Sequence, residues 1–194
     1  MKVKLLHNSP LEVADLAIGK CWDKPSKDQR HLVDRMHRVG NKNKHASTLE
    51  HISYTFDIDG ISRACLQELA RHRHQSLSVK STRYTLKELK DHRGDFNDFL
   101  VLTNNNYINN YNNQHLYDLQ LLLQEGVSND IAKYMLPEAY KTSLVSTMNM
   151  RALQNFLQLR TNKAALWEIQ ELARAMYEVV PMEHKFMLEE FVND

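Results

Sequence analysis

The sequence predicts an α+β fold, a helix-rich single domain over residues 1–194 with a small antiparallel sheet. Five glycines and four prolines are few for 194 residues, and this scarcity of helix breakers favours helices. Residues 164–180 carry a continuous apolar stripe at helical spacing. Residues 52–58 alternate apolar and polar side chains, which is typical of a half-buried strand. The chain is long enough for one domain with a sizeable core.

The other elements follow from local pattern. Strands are predicted over residues 2–7 and 52–58, and Asp59-Gly60 is expected to end the second strand. Apolar spacing predicts helices over residues 11–20, 28–39, 61–73, 114–124, 128–136, 148–160, 164–180 and 183–191. Residues 104–113 contain seven asparagines. Because asparagine favours turns over helix interiors, we expect this stretch to be a variable surface segment without chemistry.

Composition and charge exclude several classes of protein. The formal net charge is +1, so no global field attracts nucleic acid or a membrane. No apolar run approaches the roughly 18 residues of a membrane span, and no signal peptide is recognisable, so we expect a cytoplasmic protein. Cys21 and Cys65 lie far apart and are interpreted as reduced thiols. His45, Glu50 and His51 lack the HExxH spacing, so no metal site is expected.

Residues 71–84 form the strongest candidate for a ligand site. This stretch contains four cationic side chains, two histidines, four Ser or Thr hydroxyls and no acid. Forked arginine donors, hydroxyls and free backbone N–H groups are what an anionic, phosphorylated ligand requires. One alternative is a basic, solvated surface. Another is a non-enzymatic helical module that binds anions or RNA.

Two segments carry a resemblance to a known family. Residues 71–81 fit the pattern Arg-His-Arg, seven residues, Ser, which is similar to the signature of the flavin-dependent thymidylate synthases. Residues 149–160 fit Asn-x-Arg-x-Leu-x-Asn-Phe-x-x-Leu-Arg, and this resembles the second signature of the same family. Trp-Glu-Ile-Gln at residues 167–170 extends the similarity. The resemblance covers most of the chain, from about residue 21 to about residue 170.

The resemblance implies the reductive methylation of dUMP to dTMP. Methylenetetrahydrofolate would supply the carbon, FAD would carry the hydride and NADPH would be the reductant. It also implies a homotetramer whose active sites are shared between subunits, with no nucleic-acid, membrane or metal partner. A route without a cysteine nucleophile fits the sequence, because Cys65 lies on an apolar stripe and Cys21 lies in no nucleophile motif. A flavoprotein with another substrate is a further alternative.

The resemblance also assigns site residues to three ligands. Those expected at dUMP are Glu68, Arg71, Ser81, Thr82, Arg83, Lys133 and Arg160. Those expected at FAD are Ser47, Arg71, His72, Arg73, Asn149, Arg151 and Asn155. His45 would lie near the folate. Arg160 would face the uracil ring and favour its ionisation, which makes it the catalytic residue of the set.

Four positions depart from the commonest family pattern. Lys133 stands where an arginine commonly binds the dUMP phosphate, and lysine supplies the charge without the bidentate fork. Glu68 stands where some members have glutamine. Val79 replaces a Glu or Gln that contacts flavin or nucleotide, so a contact there would have to use the backbone. Cys21 falls near a flavin-contacting serine of other members, and we assign it no role.

Helical spacing separates the residues of the second signature. At 100° per residue, Arg151 and Asn155 lie about 40° apart on one face. Asn149 and Arg160 lie within about 20° of each other on nearly the opposite face. Either the start of the helix is irregular, or the two faces serve two different sites, as in active sites assembled between subunits.

Overall fold

The structure, a computed structural model, describes residues 1–42 and 46–193. Its described part is a helix-rich α+β fold with a four-stranded sheet, which confirms the predicted fold class. The strands are β1 (Lys2–Asn8), β2 (Ser53–Ser62), β3 (Gln75–Val79) and β4 (Lys141–Asn149). They run in the order β1-β2-β4-β3, and every neighbouring pair is antiparallel.

Ten α-helices are present in the described part of the chain. They are α1 (Leu11–Trp22), α2 (Gln29–Met36), α3 (Arg63–Ala70), α4 (Thr82–Thr85), α5 (Lys87–Lys90), α6 (Asn106–Gln124), α7 (Asn129–Ala132), α8 (Met150–Arg160), α9 (Trp167–Glu178) and α10 (Met182–Lys185). The helices predicted over residues 128–136 and 183–191 are each a short α-helix followed by a 3-10 turn. None of the ten is long and apolar enough to cross a membrane.

The prediction that Asp59-Gly60 ends the second strand is wrong. β2 continues to Ser62, and its register against β4 shifts between Asp59 and Ile61. Gly60 has a φ of +75°, a conformation that costs glycine little because it has no Cβ. The glycine therefore makes an irregularity inside the strand rather than a turn after it.

The helix predicted over residues 61–73 is shorter, because both of its ends have other roles. Ile61 and Ser62 belong to β2. The Ser62 side chain caps α3 by accepting a hydrogen bond from Cys65 N at 3.0 Å, as an N-cap residue does. At the other end, α3 stops at Ala70.

Sequence pattern did not predict β4. The helix predicted over residues 148–160 begins only at Met150, since Met148 and Asn149 complete β4. Asn149 keeps an extended backbone, and its side chain accepts a hydrogen bond from Ala152 N at 2.8 Å, so it is the N-cap of α8. One strand therefore delivers the chain directly into the helix that carries the second signature.

The asparagine-rich stretch is a helix start rather than a run of turns. α6 begins at Asn106, and the Asn105 side chain caps it by accepting from the backbone N–H groups of Tyr107 and Ile108. Asn113 lies within the helix and joins it to the preceding loop through Asn97, at 2.9 Å. Capping and these side-chain hydrogen bonds outweigh the low helix propensity of asparagine.

Two buried clusters organise the fold. The larger one joins the sheet to α1, α3, α8 and α9, and Tyr54, Phe56 and Ile58 of β2 are fully buried in it. The smaller one joins the α4–α5 region to α6, through Leu86, Leu89 and other apolar side chains. The larger cluster fixes the ends of α3 and α8 relative to the sheet, and both signature segments occur at those ends.

Candidate functional site

A cavity of about 970 Å³ lies where β3 begins and β4 ends. Both signature segments contribute to its wall. Seven residues expected at the site line it: Arg71, His72, Arg73, Asn149, Arg151, Asn155 and Arg160. Its polar groups are mainly guanidinium and amide groups, and its lining includes one carboxylate, from Glu50. This arrangement suits an anionic ligand of substantial size.

The end of α3 presents the first signature to the cavity. The chain leaves the helix after Ala70 and enters β3 at Gln75, so Arg71, His72 and Arg73 lie in the intervening turn. Arg71 and Arg73 are exposed, and His72 is only partly so. The turn therefore offers two solvated cations on either side of one shielded imidazole.

The second signature runs along the cavity from the start of α8 to its end. Asn149 precedes the helix, so the irregular start that spacing allowed is present. Arg151 and Arg160 are about 180° apart by helical geometry. Both nevertheless line the same cavity, because Arg160 is the last residue of the helix and its side chain extends to α3. One chain thus brings the four candidate site residues of the second signature, Asn149, Arg151, Asn155 and Arg160, to one cavity.

Arg160 is held by two side chains of the first signature region. Its Nη1 donates to the Glu68 carboxylate at 2.6 Å, and its Nη2 donates to the Glu68 carbonyl at 3.2 Å. Its Nε donates to Nε2 of His72 at 2.7 Å. This network fixes the guanidinium plane and joins the ends of α3 and α8.

The same network keeps His72 neutral. Burial, and next the positive charge of Arg160, lower the pKa of His72 to about 4. Because Nε2 accepts a hydrogen bond from Arg160, the single ring proton resides on Nδ1. His72 also packs edge-on against Phe156 of α8, with ring centroids 4.9 Å apart. The imidazole therefore enters the site as a fixed, uncharged donor.

Four of the residues expected at dUMP form a separate group, whereas Glu68 lies behind the cavity wall and contacts Arg160. The described residues that line the cavity do not include Ser81, Thr82, Arg83 or Lys133. They lie beyond the other end of β3, whose five residues span about 17 Å at about 3.3 Å per residue. One chain therefore carries two groups of expected ligand-binding residues, at opposite ends of one strand.

α7 holds Arg83 in this second group. The Arg83 guanidinium donates from Nε and Nη2 to the Asp130 carboxylate, at 2.6 and 3.3 Å. Asn129 donates to the Arg83 carbonyl at 2.7 Å. The hydrogen bond with Asp130 raises the pKa of Arg83. Lys133 follows α7 in the next turn, so this face gathers two cations beside one acid.

Other expected residues are less informative. Ser47 lies exposed in a 3-10 turn, Ala46–His51, whose Glu50 lines the cavity. Val79 is exposed at the end of β3. Cys21 is exposed on α1. His45 lies outside the described residues.

Several cavity residues were missed by sequence reasoning. They are Glu50, His74, Gln158 and Asn162, together with small apolar neighbours. Helical spacing could have identified Gln158, which follows Asn155 by three residues on the same face of α8. Asn162 lies beyond the end of the helix, where spacing gives no signal. In residues 1–42 and 46–193, no group of three or more His, Cys, Asp or Glu side chains could hold a metal ion.

Comparison with known proteins gives one consistent family. Residues 4–184 match the family described as "Thymidylate synthase complementing protein". The chain is 52% identical to the flavin-dependent thymidylate synthase of Campylobacter jejuni strain RM1221, over 97% of this chain and 96% of that protein. It is 44% identical to the flavin-dependent thymidylate synthase of Helicobacter pylori strain 26695, over 98% of each.

A solved structure gives the same answer for the fold. The crystal structure of thymidylate synthase X from Helicobacter pylori with FAD and dUMP superposes with a TM-score of 0.94 at 42% identity, and the match covers 100% of both chains. Sequence and fold thus agree over nearly the full length. The chain belongs to the family of flavin-dependent thymidylate synthases.

Proposed function

We propose that this protein makes dTMP from dUMP, with methylenetetrahydrofolate as carbon donor, FAD as hydride carrier and NADPH as reductant. The methylene carbon joins pyrimidine C5, the C5 proton leaves, and two electrons reduce the new group to methyl. The observation that carries the proposal is the single cavity lined by both family signatures. Membership of the family agrees with it.

The donor set of the cavity fits FAD. Arg71, Arg73 and Arg151 are exposed toward solvent and carry fixed positive charge suited to a pyrophosphate. Asn149 and Asn155 offer amide groups for the polar edges of a ring. His72 would donate a hydrogen bond to FAD from its Nδ1–H group. When bound, FAD supplies hydride chemistry that amino-acid side chains cannot perform, and these residues bind and orient it.

Arg160 is the residue we assign to the uracil ring. Its side chain is 16% exposed, and Glu68 and His72 already fix the orientation of its guanidinium. A permanently charged donor in a partly buried setting favours the anionic form of a ring nitrogen beside it. Glu68 and Arg71 complete this part of the dUMP site, and the Arg71 side chain would reach both ligands.

The second group of residues would bind the phosphate of a dUMP molecule that lies in the cavity of a neighbouring subunit. Ser81, Thr82, Arg83 and Lys133 supply hydroxyls and positive charge, but they lie beyond the far end of β3 from the cavity. A homotetramer that brings this end of one chain to the cavity of another would complete the site. This separation supports active sites shared between subunits.

Three weaker assignments belong to the same proposal. Ser47 would contact FAD from the turn that also presents Glu50 to the cavity. His45 would lie near the folate. Val79 would contribute only through its backbone. The chain would act as one domain, in the cytoplasm.

The visible absorption spectrum tests this function directly. Purified protein supplemented with FAD should show a bound flavin that bleaches with anaerobic NADPH, and release of tritium from [5-³H]dUMP should report turnover. Arg160→Ala should abolish tritium release while FAD remains bound, because Arg160 acts on the pyrimidine. Normal turnover by Arg160→Ala would contradict its catalytic role, and failure of the wild-type protein to take up FAD would refute the function.

The alternative, an RNA- or anion-binding helical module, makes a different prediction. It requires binding of nucleic acid that weakens steeply with salt, and no flavin. The near-neutral net charge disfavours it.

A further inference from the structure

The turn that carries Arg71, His72 and Arg73 is built by the residue that follows it. The Gln75 side-chain amide folds back and donates to the Leu69 carbonyl at 2.7 Å and to the His72 carbonyl at 2.9 Å. The last carbonyls of a helix have no partner in the regular helical pattern. The Leu69 carbonyl also accepts from the backbone N–H of His72 at 3.0 Å, and Gln75 adds a side-chain donor to it. Ser146 of β4, which is fully buried, donates to the Gln75 side-chain oxygen at 3.3 Å.

The backbone of this turn requires such support. His74 has a φ of +64°, a left-handed conformation that a residue with a side chain adopts at some cost. A conformation of this kind persists where the surroundings determine it from several sides. Here the hydrogen bonds of Gln75 fix the chain before the turn, at Leu69, and within it, at His72. The directions of three side chains in the cavity depend on that turn.

We propose that Gln75 is a positioning residue, which sets the Arg71–Arg73 turn for binding FAD. Gln75 is not among the described residues that line the cavity, so it acts through the turn. The inference rests on the proposed function, since it takes the cavity as the FAD site. It assigns to this glutamine a role in cofactor affinity, in addition to any effect on stability.

The fold contains a matched control for this arrangement. The Gln120 amide of α6 donates to the Leu89 carbonyl at 2.6 Å and to the His92 carbonyl at 2.9 Å. The two carbonyls are again three residues apart; the first again belongs to the penultimate residue of a helix, here α5, and the second again lies beyond the end of that helix. Leu89 lies in the smaller buried cluster, and none of these three residues lines the cavity. Gln120 therefore makes the same hydrogen bonds without the site.

The experiment compares Gln75→Met with Gln120→Met. Methionine keeps the length of the side chain and removes both donors. FAD affinity, measured by flavin fluorescence, should fall about tenfold in Gln75→Met, which is the scale of one to two lost hydrogen bonds. Gln120→Met should lower the unfolding temperature and leave FAD affinity unchanged. Unchanged FAD affinity in Gln75→Met would overturn the proposal, as would an equal loss in both variants.

Two further measurements keep the test decisive. If Gln75→Met does not fold, Ser146→Ala removes only the anchor of Gln75 and should weaken FAD binding about twofold to threefold; an unchanged affinity would overturn the proposal. The second measurement follows the His72 ring by ¹⁵N NMR during a pH titration. Displacing the turn should separate His72 from Arg160, so its pKa should rise from about 4 towards its ordinary value in Gln75→Met.

The His72 titration requires no flavin, and it separates the two proposals. If the wild-type protein takes up no FAD, the proposed function fails, and the titration still decides whether Gln75 sets the turn. An unchanged His72 titration in folded Gln75→Met would overturn the positioning role, whatever the protein binds.

Discussion

Replacing Glu168 should destabilise the fold by an amount that the structure allows us to work out. Glu168 is 3% exposed, and its carboxylate accepts two hydrogen bonds from Ser62, one from the backbone N–H at 2.7 Å and one from the hydroxyl. Ser62 is the N-cap of α3, so one buried acid on α9 fixes the start of the helix that carries Glu68. Hydrogen bonds to a charged group contribute about 1.5–3 kcal/mol each.

Two such bonds amount to about 3–6 kcal/mol. Replacing the carboxylate also removes the free-energy cost of burying its charge, which offsets part of this loss. We therefore expect Glu168→Ala to lower the free energy of unfolding by about 3 kcal/mol. Glu168→Gln keeps an acceptor for the Ser62 N–H and should cost about half as much. For a chain of this length, 3 kcal/mol corresponds to a fall in unfolding temperature of about 6–12 °C.

The assay is thermal or urea unfolding at one protein concentration, since assembly would couple to stability. Glu171→Gln is the control, because it removes the same charge from an exposed position one turn further along α9; it should change stability by less than about 0.5 kcal/mol. Ser62→Ala combined with Glu168→Ala should cost less than the sum of the single changes. A loss below about 1 kcal/mol in Glu168→Ala, or full additivity, would refute the reasoning.

Three further outcomes are expected. The folded-state pKa of His72, about 4, lies below its unfolded value, so stability should fall by about 2 kcal/mol as the pH falls from about 6.5 towards 4, and urea unfolding of His72→Gln should lack this part of the profile. Arg35→Ala should cost about 3 kcal/mol in urea unfolding, because it leaves Asp15 buried without its 3.2 Å partner; a loss under 1 kcal/mol would contradict that. Lys133→Arg should lower the Kd for dUMP about fivefold in calorimetry, since a guanidinium can donate two parallel hydrogen bonds to the phosphate. An unchanged Kd would mean that the phosphate binds elsewhere.

Sequence pattern predicted the elements that have their own periodicity. The alternation over residues 52–58 identified β2, and the apolar stripe over 164–180 identified α9. It failed where tertiary contacts decide. β4 escaped prediction because its burial alternates while its polarity does not: Thr142 and Ser146 are polar but buried, and Val145 is apolar but exposed. α6 starts inside the asparagine-rich stretch because Asn105 caps it, a role that propensity alone does not convey.

The candidate site was predictable in its residue types and not in its geometry. The two signatures identified seven residues that line one cavity. Helical spacing placed Arg151 and Arg160 on opposite faces, and this was correct for the helix. It could not foresee that Arg160 would extend to Glu68 of α3 and to His72 after it, since no local pattern records contacts between residues 92 and 88 positions apart.

The reason for this limit is that the site is made from the ends of elements. Arg71 follows α3, Asn149 precedes α8 and Arg160 closes it. Backbone groups at helix ends lack partners within the helix, so they are available to ligands, and side chains there can leave the helical face. The same ends then need partners when no ligand is bound. Gln75 supplies them at the end of α3, and Ser62 with Glu168 supplies them at its start. Residues that bear on the site therefore include positions to which the signatures assign no residue type, such as Gln75, and residues outside both signatures, such as Ser62.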